Sequence, residues 1–344
     1  MAGANDGHRL HQLAATPATV HWGFFDQSLR PVLTIRSGDV VEMETLTHHA
    51  GDAPDLLMDD GVRAVYENVT DRGPGVHIMT GPVAVEGAAP GDTLQVDILQ
   101  ATPRLPYGSN FAAWWGLLYD DFNKRQRATI YHFDPDATVG RAVFAYDFPY
   151  AADTPGTIVP PGAVNRVPAL GDIAVPLRPH LGTAGVAPGE PGRISSIPPA
   201  RWGGNIDNWR IGAGARMYYP VLVPLALFSA GDPHVSQGDG EISGTAIEAS
   251  LNVTLRFTVR RDFPVHNPVL ETPTHWITHA FHEDLGAAMR LAALEMLDFL
   301  VTHKGLSRND AYSLMSVAAD FAVTQVVDQR QGIHAAIPKA VFLR

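Results

Sequence analysis

The 344-residue chain contains no cysteine, and only three lysines (Lys124, Lys304 and Lys339) stand against 22 arginines. Without a thiol, a cysteine nucleophile, a disulfide framework and a thiolate zinc knot are all excluded. Scarce lysine leaves few places for a mechanism that needs a catalytic amine. Positive charge is in deficit too: 25 basic against 36 acidic residues gives a formal charge of −11. That balance argues against general nucleic-acid binding, and no Lys/Arg cluster offers a local exception. Long apolar runs are also missing. The best membrane candidate, residues 217–231, is too short and carries Pro220 and Pro224. The opening stretch has neither the basic region nor the apolar block of a secretory signal. A cytoplasmic protein with no membrane and no nucleic-acid partner is expected.

What is present is ordinary globular material: 45% hydrophobic and 18% charged residues, with 32 glycines and 27 prolines. Such glycine and proline usage favours a turn-rich, β-dominated chain. Residues 1–18 read as a loose N-terminal arm, and 19–344 as one catalytic-size unit, with room for two interlocked β subdomains. Ser37-Gly38-Asp39 before VVEMET has an echo at Pro90-Gly91-Asp92 before TLQVDIL; each reads as a tight turn feeding an alternating strand. No periodicity settles the aromatic run NFAAWWGLLYDDF at 110–122. The Pro/Gly-rich segment 149–193 is expected to wind over the surface or over a neighbouring subunit. Near the C-terminus the pattern changes. Leu285, Met289, Ala293, Met296, Leu297 and Leu300 form a helical stripe closed by Gly305, and Ser307 with Asp310 signals the start of a second helix. The expected fold is therefore mainly β, sandwich-like within the α+β class, with a C-terminal helical pair over about 283–320.

Chemistry concentrates in GGNIDNWRIGAG (203–214) and SAGDPHVSQGDGEISGTAIEAS (229–250). On extended chain, Asp232 and His234 project to one face and can ligate one ion together. Nitrogen with carboxylate oxygen suits zinc or a similar divalent cation, which polarises a carbonyl and lowers the pKa of bound water to roughly 7. A nearby free carboxylate then serves as general base. Against this stands the bland reading, in which Gly-Asp pairs are turns and Asp-x-His is a hydrogen-bonded loop. Dense acids at a buried strand end nevertheless cost free energy unless paired or coordinated. A second cluster, Thr47-His48-His49-Ala50-Gly51-Asp52, offers one histidine to a common site if extended, because neighbours on a strand point opposite ways. His77, His180, His279 and His334 have no informative spacing. The pair His275 and His279 fits a helical i, i+4 ligand set, but Pro273 argues against helix there.

At these residues the chain resembles the acetamidase/formamidase family, from about Val20 to Phe342. The resemblance is carried by HWGFFDQSLRPVLTIRSGDVVEMETLTHHAGD, TGPVAVEGAAPGDTLQVDIL, RWGGNIDNWRIGAGARMYYPV, FSAGDPHVSQGDGEISGTAIEASL and LSRNDAYSLMSVAADFAVTQVVD, in that order. It implies the family's mostly β fold, a homo-oligomer (dimer or higher), and cleavage of the C–N bond of formamide, acetamide or similar linear amides to carboxylate and ammonia. It also implies a divalent metal, zinc, in some members. Carried over by motif, Asp232, His234, Asp207 and His48 are the metal candidates. Glu248 and Glu241 are candidate general bases, Asn205 a donor to the amide or oxyanion, and Asn205, Gln237 and Asp239 candidate substrate contacts. Two departures concern the substrate: Leu225 stands where glycine is expected and is expected to reshape the pocket, and His180 lies in a segment that varies between subgroups.

Composition agrees with a metal route. A Glu-Lys-Cys set is excluded, and a Ser-Ser-Lys set lacks its lysine near SGTAIEAS. Two other readings keep the acidic loop without catalysis: a β-sandwich holding calcium and a sugar or small ligand, and a hydrolase fold retained for interaction. Oxygen-rich loops suit calcium, so a second, calcium-type site is also an expectation.

Overall fold

A computed structural model describes residues 8–134, 138–150 and 155–343. Among these, a nine-stranded and an eleven-stranded β-sheet dominate, with one two-stranded ribbon. The alternating strands turn their apolar faces toward each other. Val41, Met43, Val253, Leu255 and Phe257 from the first sheet share one buried cluster with Val83, Val85, Leu181, Phe228 and Ala230 from the second. Burial of such side chains from both sheets is the main driving force for the sandwich. The mainly β expectation therefore holds.

Both turn echoes behave alike. Gly38 and Gly91 have φ of +99° and +96°, and each is followed by a strand, Val40–Thr45 or Thr93–Pro103. Both strands pair with Leu251–Arg260 in the nine-stranded sheet. In each turn the aspartate caps the backbone: Asp39 accepts from the Arg9 and Arg36 amides, and Asp92 from the Ala89 amide.

Three expectations need correction. Residues 1–7 of the proposed loose arm lie outside the described residues, but Leu10–Leu13 pairs in parallel with Val40–Thr45 at the sheet edge. The 149–193 segment (of which 151–154 lie outside the described residues) does not stay on the surface throughout. His180–Gly185 is a wholly buried strand of the eleven-stranded sheet. In the first of the two long helices, Leu285–Lys304, the buried stripe runs through Ala288, Ala292, Met296 and Leu300, and Leu285 and Met289 are exposed. Sequence pattern gave the helix and missed the face of its first turns, because small alanines make the contact with Ala280 and Ile333.

The helical pair itself is as expected. Asp284 caps the first helix by accepting from the Ala287 amide, and Ser307 caps Arg308–Ala318 by accepting from the Asp310 amide. Gly305 ends the first helix at φ +68°, a left-handed conformation that costs any residue with a Cβ. Nothing lies within 4 Å of the space a Cβ would occupy there. Gly305→Ala is therefore expected to lower unfolding free energy by about 1 kcal/mol through backbone conformation alone, measured by denaturant titration.

Candidate active site

The eleven-stranded sheet lines up a row of polar residues across four strands. His180 on His180–Gly185 faces His234 on Phe228–Ser236, which faces Glu248 on Ile247–Glu248, which faces Ser109 on Tyr107–Ala112. Cross-strand neighbours on one face touch. His180 Nε2 lies 3.1 Å from His234 Nδ1, and His234 Nε2 lies 3.1 Å from Glu248 Oε1. Asp232, two residues before His234, is on the same side, with Oδ2 3.2 Å from His234 Nε2. The extended-strand argument for that pair is correct.

Loops complete the cluster from above. His48 Nδ1 stands 3.6 Å from Asp232 Oδ1, and His77 Nε2 stands 3.7 Å from Asp232 Oδ2. His48 and His49 lie in a turn rather than a strand, so both reach the cavity, contrary to the alternation argument. His49 Nδ1 meets Asp52 Oδ2 at 3.1 Å, and the Ser109 hydroxyl donates to the same oxygen at 2.6 Å. Thr183 donates to Asn205 Oδ1, placing Asn205 in the cavity wall.

Close approach of these groups requires an absent side chain. A Cβ on Gly182 would lie 2.5 Å from His234 Cε1 and 2.6 Å from Asp207 Oδ1. Asp207, Asp232 and Glu241 all adopt left-handed backbone conformations, with φ of +50°, +48° and +46°. Non-glycine residues held there store strain and concentrate at functional sites.

The electrostatics follow from burial. Desolvation, reinforced by His49 and His77, holds the His48 imidazolium well below its usual range, and desolvation likewise lowers His77. Burial thus favours the uncharged imidazole, the ligand form, at both positions. Burial works to raise Asp232, but the facing His77 and His234 hold it well below the usual carboxylate range. Burial also works to lower His234, which Glu248 and Asp232 nevertheless raise well above 6.5. Burial pushes Glu248 up to about 7 and Asp207 up to about 6. Glu241 and Asp328 are pushed well up by burial, with Asp207 adding to it.

Several buried atoms in this cluster lack any hydrogen-bond partner: His48 Nδ1, His234 Nε2, Asp207 Oδ1 and Glu248 Oε2. The His234 contacts with Asp232 and Glu248 are close without having hydrogen-bond geometry. Orphaned buried donors and acceptors are costly. Their convergence fits a cation. Within 4.8 Å of one another lie His48, His77 and Asp232; Asp207, Asp232 and His234; and the all-oxygen set Asp207, Glu241 and Asp328. All four metal candidates named from the sequence fall in these groups.

Two expected substrate contacts are not brought to the cavity. Asp239 sits at the surface, bound to Arg210 Nη1 at 2.8 Å and to Trp209 Nε1 at 2.9 Å. Gln237 is buried behind the site, where Oε1 meets His180 and His234 at 2.9 and 3.2 Å while Nε2 donates to the Asp207 carbonyl. Its amide is fully used, Oε1 on the two imidazoles and Nε2 on the Asp207 and Thr324 carbonyls. Leu225 is 37% exposed and lies outside the cavity wall, so it does not reshape the pocket; its φ of +68° explains why glycine is expected there. Sequence reasoning missed His77, Asp328 and Gly182, and passed over His180. Each is solitary in its own segment and acquires partners only through the fold. His279 is in a strand and meets Asn208 away from this site.

The cavity these groups floor has a volume of about 470 Å³. Among the described residues no helix is long and apolar enough to cross a membrane. The profile of the acetamidase/formamidase family matches residues 11–192 and 190–344. A formamidase of Methylophilus methylotrophus is 28% identical over 297 residues, covering 71% of each chain. An acetamidase of Mycolicibacterium smegmatis is 33% identical over 202 residues, 48% of this chain and 49% of that one. The crystal structure of an acetamidase from Bacillus halodurans, 28% identical, superposes with a TM-score of 0.75 over 96% of this chain and 98% of its own. Profile, relatives and fold span the same residues as the buried cluster, and the chain belongs to the acetamidase/formamidase family of amide hydrolases.

Proposed function

We propose that the protein hydrolyses small linear amides of the formamide and acetamide type to carboxylate and ammonia, with a divalent metal held at Asp232 and Glu248 moving the proton. The observation that carries this reading is the unpartnered Glu248 Oε2, buried at the floor of the cavity beside His234 and Asp232. A carboxylate raised to about 7 is matched to accepting and returning a proton near neutrality.

His48, His77 and Asp232, with His234 beside them, are the residues that would hold the ion, and nitrogen donors favour zinc over calcium. When bound, such an ion polarises an amide carbonyl and acidifies water. The remaining work belongs to the chain. Glu248 takes the proton from the attacking water and delivers it to the amide nitrogen, so that the C–N bond breaks with ammonia leaving and the hydroxyl staying on the acyl carbon. Asn205, fixed through its Oδ1 by Thr183, has its amide NH₂ available for the carbonyl oxygen as negative charge develops there. His180 and Gln237 lock the ring of His234. Asp207, Glu241 and Asp328 offer oxygen only and suit calcium at a second position. Glu241 lines the same cavity and groups with Asp207 and Asp328, so it is assigned to that second position, and Glu248 to the base.

Ammonia release from formamide, acetamide and propionamide tests the reaction directly; no release from any of them would remove the proposal. Glu248→Gln keeps shape and removes the base. Turnover is expected to fall about 100-fold or more, with a melting temperature within about 4 °C of the parent. A structural acid would show the reverse: large loss of stability and retained rate.

Metal content gives an independent test. Purified protein is expected to carry a stoichiometric divalent ion by elemental analysis and to lose turnover on chelation, regaining it with zinc. His77→Ala is expected to co-purify with less metal than the parent. Unchanged amide turnover in fully metal-stripped protein would contradict the metal assignment and leave the amidase reading standing.

A further inference from the structure

The polar floor occupies one end of the cavity, and an aromatic wall rises from it. Phe111 follows Ser109 by two residues on one strand, so both side chains take the same face, and Ser109 is the cross-strand neighbour of Glu248. The Phe111 ring lies 5.4 Å from His49, 5.6 Å from Trp115 and 4.6 Å from Phe148. Trp115 in turn lies 5.4 Å from Trp114, which is 56% exposed at the mouth. The rings thus run without a break from the imidazole floor to solvent, and all four line the cavity.

This wall is anchored to the catalytic loop. Gly244 has φ +102°, and a Cβ there would overlap the Trp115 indole, so the Cδ1–Nε1 edge of the ring abuts the backbone four residues before Glu248. Asn110, beside Phe111, donates to the Thr245 and Ala246 carbonyls at 2.9 and 3.1 Å, and the Phe111 amide donates to Thr245 Oγ1 at 2.7 Å. The aromatic strand and the loop that carries the proposed base are one hydrogen-bonded unit.

Size points the same way. Acetamide takes the space of about three waters, roughly 100 Å³, against a cavity of about 470 Å³. A formamide-sized substrate would leave most of the aromatic surface unused. Resting on the amidase reading above, we infer that the preferred substrate is a primary amide whose acyl group carries an aromatic ring, packed in the cavity against the wall of Phe111, Trp115 and Phe148. Aromatic rings favour offset or edge contacts at the 4.5–7 Å spacing that these side chains already keep with one another. The products are ammonia and an aryl-substituted carboxylate.

The test compares acetamide, benzamide, phenylacetamide and 3-phenylpropionamide by kcat/KM from ammonia release, with calorimetric binding of phenylacetamide in parallel. At least one aryl amide is expected to exceed acetamide by about tenfold or more, the scale of one added apolar group in a fitted pocket. Trp115→Ala is expected to cut the aryl-to-acetamide ratio about tenfold, and Trp115→Phe to restore most of it. Acetamide or formamide exceeding every aryl amide, or Trp115→Ala lowering all substrates alike, would overturn the inference and leave the amidase reading intact. If no amide is turned over, the hydrolytic reading fails. Phenylacetamide binding that Trp115→Ala abolishes would then keep the aromatic site, and no binding would end both.

Discussion

Burying a carboxylate costs several kcal/mol unless charge or donors compensate, and the whole site is arranged around Asp232, where that cost is met. Its side chain is enclosed in the eleven-stranded sheet, in a left-handed backbone conformation, facing His48, His77 and His234. Five neighbouring structures depend on that contact: the Asp-x-His strand, the 46–52 turn, the residue before strand Ile78–Val85, the Gly182 opening and the cross-strand Glu248. Four of them present a polar group inward that would be costly alone, and Gly182 leaves the room for two of those groups to approach. Asp207, Glu241, Glu248 and Asp328 add acid beyond what the imidazoles neutralise, and burial raises all four. Shared protons or a bound cation settle that imbalance, and the unpartnered nitrogen and oxygen atoms converge where a cation would sit.

The division of labour between layers follows from this. The nine-stranded sheet and the helical pair supply apolar burial and contribute little to the cavity. The eleven-stranded sheet carries the chemistry in register, so that pairing four strands correctly is equivalent to aligning His180, His234, Glu248 and Ser109. A slip of one residue in any of these strands would turn its site residue to the opposite face. The cavity walls are the 111–115 aromatic segment, where the strand runs out into a turn, and the 327–329 turn with Asp328.

Much of this was legible from sequence, and the limits have physical reasons. Period-two alternation and Gly-Asp turns announced a β body because those signals are local. Asp232 and His234 were legible as a pair because an extended chain places i and i+2 together. Family resemblance added Asn205, Asp207, Glu248 and His48, which spacing alone could not join. His77 and Asp328 were invisible, since a lone polar residue carries no hint of partners that are distant in the chain. Asp239 was misread for the opposite reason: it sits in a motif rich in acids, yet Arg210 draws it to the surface. The aromatic run at 110–122 gave no periodicity because a strand ends inside it, at Ala112, and turns follow.

Asp232 and its imidazoles are proposed as a metal centre. The most direct measurement is an anomalous-scattering map, collected across the zinc edge on crystals of untreated protein. A peak is expected among His48, His77 and Asp232, within bonding distance of at least two of them. Full occupancy of that space by water, with no anomalous signal in protein that still hydrolyses amides, would contradict it.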